Sequence, residues 1–169
     1  REGLIRTYPD AEVRACPLAD GVDGSLEVLA RYVEGSWEKV LVGDPLGRPV
    51  EASYLRAGKT AYLELAAASV IVLLKPSERN ALKTSSYGTG QLISHALQNG
   101  CDELYLFIGG SATNDGGIGI AEALGYSFWD AEGKRLSPVG DNLVHITKIS
   151  KDALIFGPSE INVTIICDV

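Results

Sequence analysis

The sequence predicts an α/β fold in which parallel strands are combined with an antiparallel insertion. The continuous apolar run at residues 104–108 is typical of a parallel strand buried on both faces. Apolar residues at one-sided spacing in residues 92–97 predict a helix. Alternation of apolar and polar residues at 50–55, bounded by turn-forming glycines, predicts antiparallel hairpin structure within residues 37–74.

The remaining elements follow from the same periodicities. In order, the sequence predicts the end of a helix at residues 4–5, a short strand at 13–16, a helix from 25 to 33, a loop at 109–117, a helix at 118–124 and a last buried strand at 163–167. A compact domain rarely stops directly after a buried strand, and the chain contains no methionine. We therefore expect a segment that is truncated at both ends.

Charge and cysteine usage narrow the class of protein. The net charge of −7 comes without a cluster of basic residues, which argues against nucleic acid and anionic membranes as partners. The most apolar stretch, residues 61–74, is too short to span a bilayer. Three widely spaced cysteines are typical of reduced thiols. These features predict a cytoplasmic protein.

The most informative segment is Gly-Gly-Ser-Ala-Thr-Asn-Asp-Gly-Gly at residues 109–117, between a buried strand and a helix. Glycines allow the backbone to approach a ligand closely, and amides at the start of a helix favour an anion. Ser111 and Thr113 add hydroxyl donors. The segment matches neither the Walker phosphate loop nor the dinucleotide fingerprint. The alternative is a tight turn in which Asn114 or Asp115 only caps the helix.

Three aspartates are predicted to follow strands or to lie in the glycine-rich segment: Asp20, Asp115 and Asp168. In open α/β sheets, ligands bind beyond the carboxyl ends of the strands, so these side chains could converge. Carboxylates at such a place suit Mg²⁺ bound to nucleotide phosphates. Each aspartate taken alone is equally consistent with a structural role in a loop.

Beyond the glycine-rich segment, the sequence resembles the bacterial type-one family of glycerate kinases along nearly the whole chain. The matching segments are residues 17–25, 44–50, 64–69, 79–90, 109–117 and 166–169. The resemblance implies ATP as phosphoryl donor, Mg²⁺, D-glycerate as acceptor and phosphoglycerate as product. The sequence does not indicate which hydroxyl is phosphorylated, and it leaves a homodimer open.

The resemblance also implies a larger parent protein with two α/β domains. On this basis residues 1–36 are the remnant of a Rossmann-like domain, residues 37–160 form a second α/β domain, and residues 161–169 return towards the first. The family's N-terminal strand and its Asp-Ser-Phe-Lys-Gly loop are absent. Because phosphoryl transfer depends on positioning and charge neutralisation, we expect the segment alone to be inactive.

The resemblance assigns roles to individual residues. The predicted phosphate- or nucleotide-binding residues are Gly109, Gly110, Ser111, Thr113, Asn114, Gly116 and Gly117. The predicted catalytic residues are Asp20, Asp115 and Asp168, of which Asp20 and Asp168 would hold the metal. The predicted substrate-binding residues are Glu64, Arg79 and Thr89. A surface ion pair is the alternative for Arg79 and a helix cap the alternative for Thr89, whereas Arg48 is expected to be a solvated charge.

Two residues depart from the family pattern, since Val22 and Val70 stand where glycine is expected. β-Branched side chains resist positive φ angles, so the shape of either loop could differ. These departures support a second hypothesis, in which the chain is a non-catalytic module that binds a small acid or a nucleotide.

Overall fold

The computed structural model describes residues 2–19, 21–151, 153–155 and 161–167. The strands are β1 (Ser36–Gly43), β2 (Pro49–Ala57), β3 (Thr60–Glu64), β4 (Glu103–Phe107), β5 (Ser127–Trp129), β6 (Lys148–Ser150) and β7 (Asn162–Ile166). The α-helices are α1 (Glu2–Thr7), α2 (Ser25–Leu29), α3 (Ala66–Ser69), α4 (Tyr87–Gln98) and α5 (Ile118–Ala123). Short 3-10 helices span Ile71–Leu73, Pro76–Glu78 and Gly140–His145.

Five strands form one mixed sheet in the order β1-β2-β3-β4-β7. The first three strands are antiparallel neighbours, with Val42 opposite Val50 and Leu55 opposite Tyr62. Strands β3, β4 and β7 are parallel. The α/β class and the antiparallel insertion are therefore confirmed. Strands β5 and β6 form a separate two-stranded sheet.

Helix α4 packs against the sheet and against α5, and the main core lies beneath it. Leu63 of β3, Leu104 of β4 and Leu92 of α4 are almost completely excluded from solvent there. Next to this core an apolar groove of about 420 Å³ extends to β7, where Val163 and Ile165 line it. Among the described residues, no helix is long and apolar enough to cross a membrane.

The turn between β1 and β2 gives the exposed Arg48 specific partners. Oδ1 of the buried Asp44 accepts hydrogen bonds from the amides of Leu46 and Arg48, which fixes the turn. The guanidinium donates to Asp44 Oδ2 over 2.6 Å, to Glu78 Oε1 over 3.0 Å and to the Leu73 carbonyl over 3.1 Å. Arg48 is thus an exposed charge, as expected, that also connects two loops.

Three predicted elements differ from the structure. Residues 13–16 form no strand and are largely exposed, because no strand among the described residues pairs with them. The helix from Ser25 ends at Leu29, short of the predicted residue 33. Strand β7 forms as predicted but is not buried: Val163 and Ile165 are about half exposed, since β7 is the edge of the described sheet.

Strand β7 pairs with β4, so residues 162–166 belong to the same sheet as the central segment. The division of the chain into 1–36, 37–160 and 161–169 stays a prediction.

Candidate functional site

The candidate site begins where β4 ends, in residues 109–117, here called the glycine loop. Gly110, Gly116 and Gly117 have φ angles of 74°, 62° and 77°. Residues with a Cβ atom rarely adopt such angles, so the path of the loop requires glycine at these positions. The loop therefore has a defined backbone shape that follows from its sequence.

Gly109 brings the glycine loop against the segment that begins at Gly21. Its amide donates to the Gly21 carbonyl over 3.0 Å, and a Cβ on Gly109 would lie 2.7 Å from that oxygen. A Cβ on Gly21 would in turn lie 3.4 Å from the Ile166 carbonyl and 3.8 Å from Cys167 Cα. Three segments thus meet at the carboxyl ends of β4 and β7, the edge where parallel sheets bind ligands.

Two of the three predicted carboxylates, Asp20 and Asp168, lie outside the described residues. Their described neighbours, Gly21 and Cys167, lie side by side at the sheet edge. The convergence of the three aspartates stays a prediction. Within the described ranges, no three His, Cys, Asp or Glu side chains come together as a metal site.

The amides of the glycine loop are divided between internal hydrogen bonds and open positions. The Ala112 amide donates to the Ser69 carbonyl over 2.8 Å, and the Thr113 amide to Ser111 Oγ over 3.1 Å. Among the residues that the structure describes, no acceptor takes the amides of Gly110, Ser111, Asn114 and Gly116. Some of the backbone amides of the predicted anion-binding segment therefore bond the protein itself, and others are available to a ligand.

Two hydroxyls accompany the open amides. Ser111 Oγ and Thr113 Oγ1 lie 2.9 Å apart, and Ser111 and Asn114 are exposed. A hydroxyl can turn its proton towards an acceptor, so the pair offers donors as well as acceptors. The exposed side of the glycine loop therefore carries hydrogen-bond donors and no exposed charged side chain of its own.

Asp115 faces inwards and is 2% exposed. Its Oδ2 accepts hydrogen bonds from the Ser86 amide (2.7 Å), Ser86 Oγ (2.8 Å) and the Gly119 amide (3.2 Å). Its Oδ1 accepts one from the Gly117 amide over 3.0 Å. The carboxylate joins the start of α4 to the start of α5. This geometry favours a positioning role for Asp115 over the direct catalytic role that the sequence suggests.

Glu64, at the end of β3, is also buried. Its Oε1 accepts a 2.7 Å hydrogen bond from the Leu26 amide in the first turn of α2. Burial raises the pKa of Glu64, and hydrogen bonds from the amides of Leu26 and Gly24 oppose the rise. The partner of this carboxylate is thus a helix start. Contact with a substrate stays a prediction.

The other two predicted substrate residues have opposite environments. Arg79 is exposed, and no carboxylate within the described ranges pairs with it, so its guanidinium is accessible to an anion. Thr89 is fully buried, and its hydroxyl bonds Ser69 Oγ over 2.8 Å and the Leu65 carbonyl over 3.3 Å. In this conformation Thr89 lies behind Ser69, and its contact with a ligand stays a prediction.

Sequence reasoning did not assign a role to the polar residues beneath the glycine loop. Ser69, Thr84 and Ser86 are at most 2% exposed, and each bonds the loop or Asp115. The available signal was the polar run Thr84 to Ser86 directly before a helix, since buried hydroxyls are retained only where they find partners.

The two valines have ordinary backbone angles. Val70 is extended, with φ −85° and ψ 151°, and no non-glycine residue in the described part of the chain has a positive φ. A Cβ on Gly110 would lie 3.6 Å from Val22 Cγ1 and 3.8 Å from Val70 Cγ2. Both valines thus pack beside the same glycine without straining either loop.

Comparison with known proteins identifies the family of the chain. The model of the glycerate kinase family matches residues 1–169. The glycerate kinase of Haemophilus influenzae is 40% identical over 169 residues, covering 99% of this chain and 45% of the relative. The glycerate 2-kinase of Escherichia coli is 38% identical over 170 residues, covering 99% of this chain and 45% of the relative. A crystal structure named as glycerate kinase 2, from Salmonella typhimurium LT2, superposes with a TM-score of 0.84 at 39% identity, covering 99% of this chain and 46% of that one.

The chain belongs to the glycerate kinase family. It spans about 45% of the length of these curated relatives.

Proposed function

We propose that the protein is an ATP-dependent glycerate kinase, which phosphorylates D-glycerate to phosphoglycerate, and that the glycine loop binds the transferred phosphoryl group. The observation that carries this proposal is the exposed pair of hydroxyls, Ser111 and Thr113, beside open amides at the carboxyl end of a parallel strand. Amide and hydroxyl donors suit phosphate oxygens. Family membership supports a kinase acting on a small molecule.

In this proposal the glycine loop acts by positioning and by stabilising charge. Phosphoryl transfer needs little covalent chemistry from the protein, because most of the barrier is lowered by orientation and by donors aimed at the phosphoryl oxygens. Gly110 and Gly116 allow the backbone to approach the phosphate closely, and the side chain of Asn114 adds an exposed amide group. Asp115, on the buried side of the loop, holds the loop to the starts of two helices.

Mg²⁺ would accompany the nucleotide and neutralise part of its phosphate charge. Asp20 and Asp168 are the proposed metal ligands, since their neighbours Gly21 and Cys167 lie together beside the glycine loop. Asp115 does not fit this role, because both of its oxygens accept hydrogen bonds from the protein.

Arg79 is the proposed partner of the glycerate carboxylate. Its guanidinium is exposed and can form two parallel hydrogen bonds with a carboxylate. Glu64 and Thr89 are proposed to support the site from within: Glu64 holds the start of α2, and Thr89 holds Ser69. The proposal places the enzyme in the cytoplasm, with a small acid and a nucleotide as its ligands and with no nucleic-acid or membrane partner.

Steady-state assay of the full-length protein tests this function. With Mg²⁺ and ATP, we expect ADP release that depends on D-glycerate, and phosphorus NMR of the product identifies the phosphorylated hydroxyl. Residues 1–169 assayed in parallel are expected to show no turnover. Absence of glycerate-dependent ADP release from the full-length protein would contradict the proposal. Retained binding of D-glycerate or ATP in that case would support the non-catalytic module instead.

A further inference from the structure

Ala112, at the middle of the glycine loop, is held on both sides by buried groups. Its amide donates to the Ser69 carbonyl over 2.8 Å, and its carbonyl accepts a 2.8 Å hydrogen bond from Thr84 Oγ1. Ser69 and Thr84 are both fully excluded from solvent. The residue between the two exposed hydroxyls is therefore fixed from inside the protein.

Because the peptide unit is planar, these two hydrogen bonds also orient the backbone of the neighbouring residues. In a trans peptide, the carbonyl of one residue and the amide of the next point in opposite directions. When Thr84 fixes the Ala112 carbonyl, it also fixes the direction of the Thr113 amide. That amide points to Ser111 Oγ at 3.1 Å, and Ser111 Oγ lies 2.9 Å from Thr113 Oγ1. The arrangement of the exposed hydroxyl pair thus depends on the buried threonine.

The Thr84 hydroxyl has few other hydrogen-bond partners. The only further partner among the described residues is the Ala81 carbonyl, at 3.4 Å. A buried hydroxyl is costly unless it makes a good hydrogen bond, and the short bond to Ala112 meets that requirement.

We propose that Thr84 is a positioning residue for phosphoryl transfer: through the Ala112 carbonyl it fixes the direction of the Thr113 amide and the spacing of the Ser111 and Thr113 hydroxyls. This inference rests on the proposed function, in which those two hydroxyls bind the phosphoryl group. Thr84 itself touches no ligand.

Substitutions of the full-length protein test this role. Thr84→Val keeps the shape of the side chain and removes the hydrogen bond, whereas Thr84→Ser keeps the hydroxyl. We expect kcat to fall about tenfold to a hundredfold in Thr84→Val, with a smaller rise in KM for D-glycerate, and to recover in Thr84→Ser. Thr60→Val is the matched control, because it removes one threonine hydrogen bond, to Glu103, at the opposite end of β3.

Hydrogen exchange provides a readout that is independent of catalysis. In Thr84→Val the amides of Ala112 and Thr113 are expected to exchange faster than in the wild type, while those of α4 are unchanged. If Thr84→Val does not fold, Thr84→Cys replaces it, because a thiol is a weak donor of similar size; its kcat should then lie below that of Thr84→Ser.

The outcomes separate the two proposals. Inactivity of the wild type would overturn the proposed function, whereas the exchange data would still report on the contact between Thr84 and the loop. Wild-type kcat in Thr84→Val, or equal losses in Thr84→Val and Thr60→Val, would overturn the positioning role while leaving the proposed function in place.

Discussion

At the scale of single residues, Asp115 connects the most parts of the site. One carboxylate accepts hydrogen bonds from Ser86, at the start of α4, and from Gly117 and Gly119, at the start of α5. Amides in the first turn of a helix have no partner within the helix, so a carboxylate there satisfies donors that burial would otherwise leave unpaired. The glycine loop is thereby tied to two helices at once.

Asp115→Ala is expected to lower the free energy of unfolding by about 3 kcal/mol or more, because several buried donors lose their acceptor. Urea denaturation, followed by circular dichroism, measures the change. The control is Asp141→Ala, at an exposed position in the Gly140–His145 helix. A loss below about 1 kcal/mol would contradict the structural role described for this carboxylate.

Glu64→Gln is expected to change how stability depends on pH. The pKa of Glu64 is raised by burial, so the folded protein holds this proton more tightly than the unfolded chain. The resulting contribution to stability is complete below the unfolded pKa of about 4.3 and is lost as pH rises through the folded pKa. Glutamine has no such titration, so the variant gains stability relative to the wild type as the pH rises above the unfolded pKa and through the raised pKa of Glu64.

Urea denaturation at several pH values measures this difference, with the exposed Glu132→Gln as control. A constant difference between wild type and Glu64→Gln across the range would contradict the raised pKa.

Much of the residue-scale picture could be predicted from sequence. The glycines of the loop and the hydroxyls of Ser111 and Thr113 stand in one continuous segment, and their residue types indicate a donor-rich loop. The buried partners could not be predicted, because Ser69 and Thr84 reach Ala112 only through the tertiary fold. The orientation of the Asp115 side chain could not be predicted either, since an aspartate in a glycine-rich loop can face either a ligand or the protein.

At the scale of elements, the site depends on the close crossing of α4 and α5. A Cβ on Gly90 would lie 2.7 Å from both Ala123 Cβ and Ile120 Cα. Real side chains do not approach so closely, so the helices meet where α4 has no side chain. The crossing places Ser86 where it can bond both Asp115 and the Ile120 amide.

Gly90→Ala is therefore expected to destabilise the protein by about 2 kcal/mol, despite the better helix propensity of alanine. Gly3→Ala in α1 is the matched control, because nothing lies within 4 Å of its Cβ position, and it should be neutral or slightly stabilising. The midpoint of thermal unfolding measures both changes. Equal midpoints for the two variants would contradict the close packing of the helices.

Helix α4, strand β4 and the hairpin strands were predictable because their periodicity is long and regular. The expected strand at residues 13–16 was not confirmed, since a strand needs a partner and a four-residue pattern does not supply one. For β7 the predicted type of element was correct but the predicted burial was wrong, because the burial of an edge strand depends on which other elements cover it.

At the scale of the whole molecule, an acidic chain is proposed to bind an anionic nucleotide. The net charge of −7 opposes this binding at long range, so local donors have to provide the attraction. The central claim is that the exposed Ser111 and Thr113 hydroxyls of the glycine loop provide it.

The most direct test is calorimetric titration of the full-length protein with Mg²⁺ and a non-hydrolysable ATP analogue. The double variant Ser111→Ala/Thr113→Val is compared with Ser137→Ala/Thr147→Val, which removes two hydroxyls outside the glycine loop. We predict that the first variant binds at least about tenfold more weakly than the wild type, at unchanged stability, and that the second binds normally. Equal affinity of the wild type and Ser111→Ala/Thr113→Val would contradict the assignment of the glycine loop to the phosphoryl group.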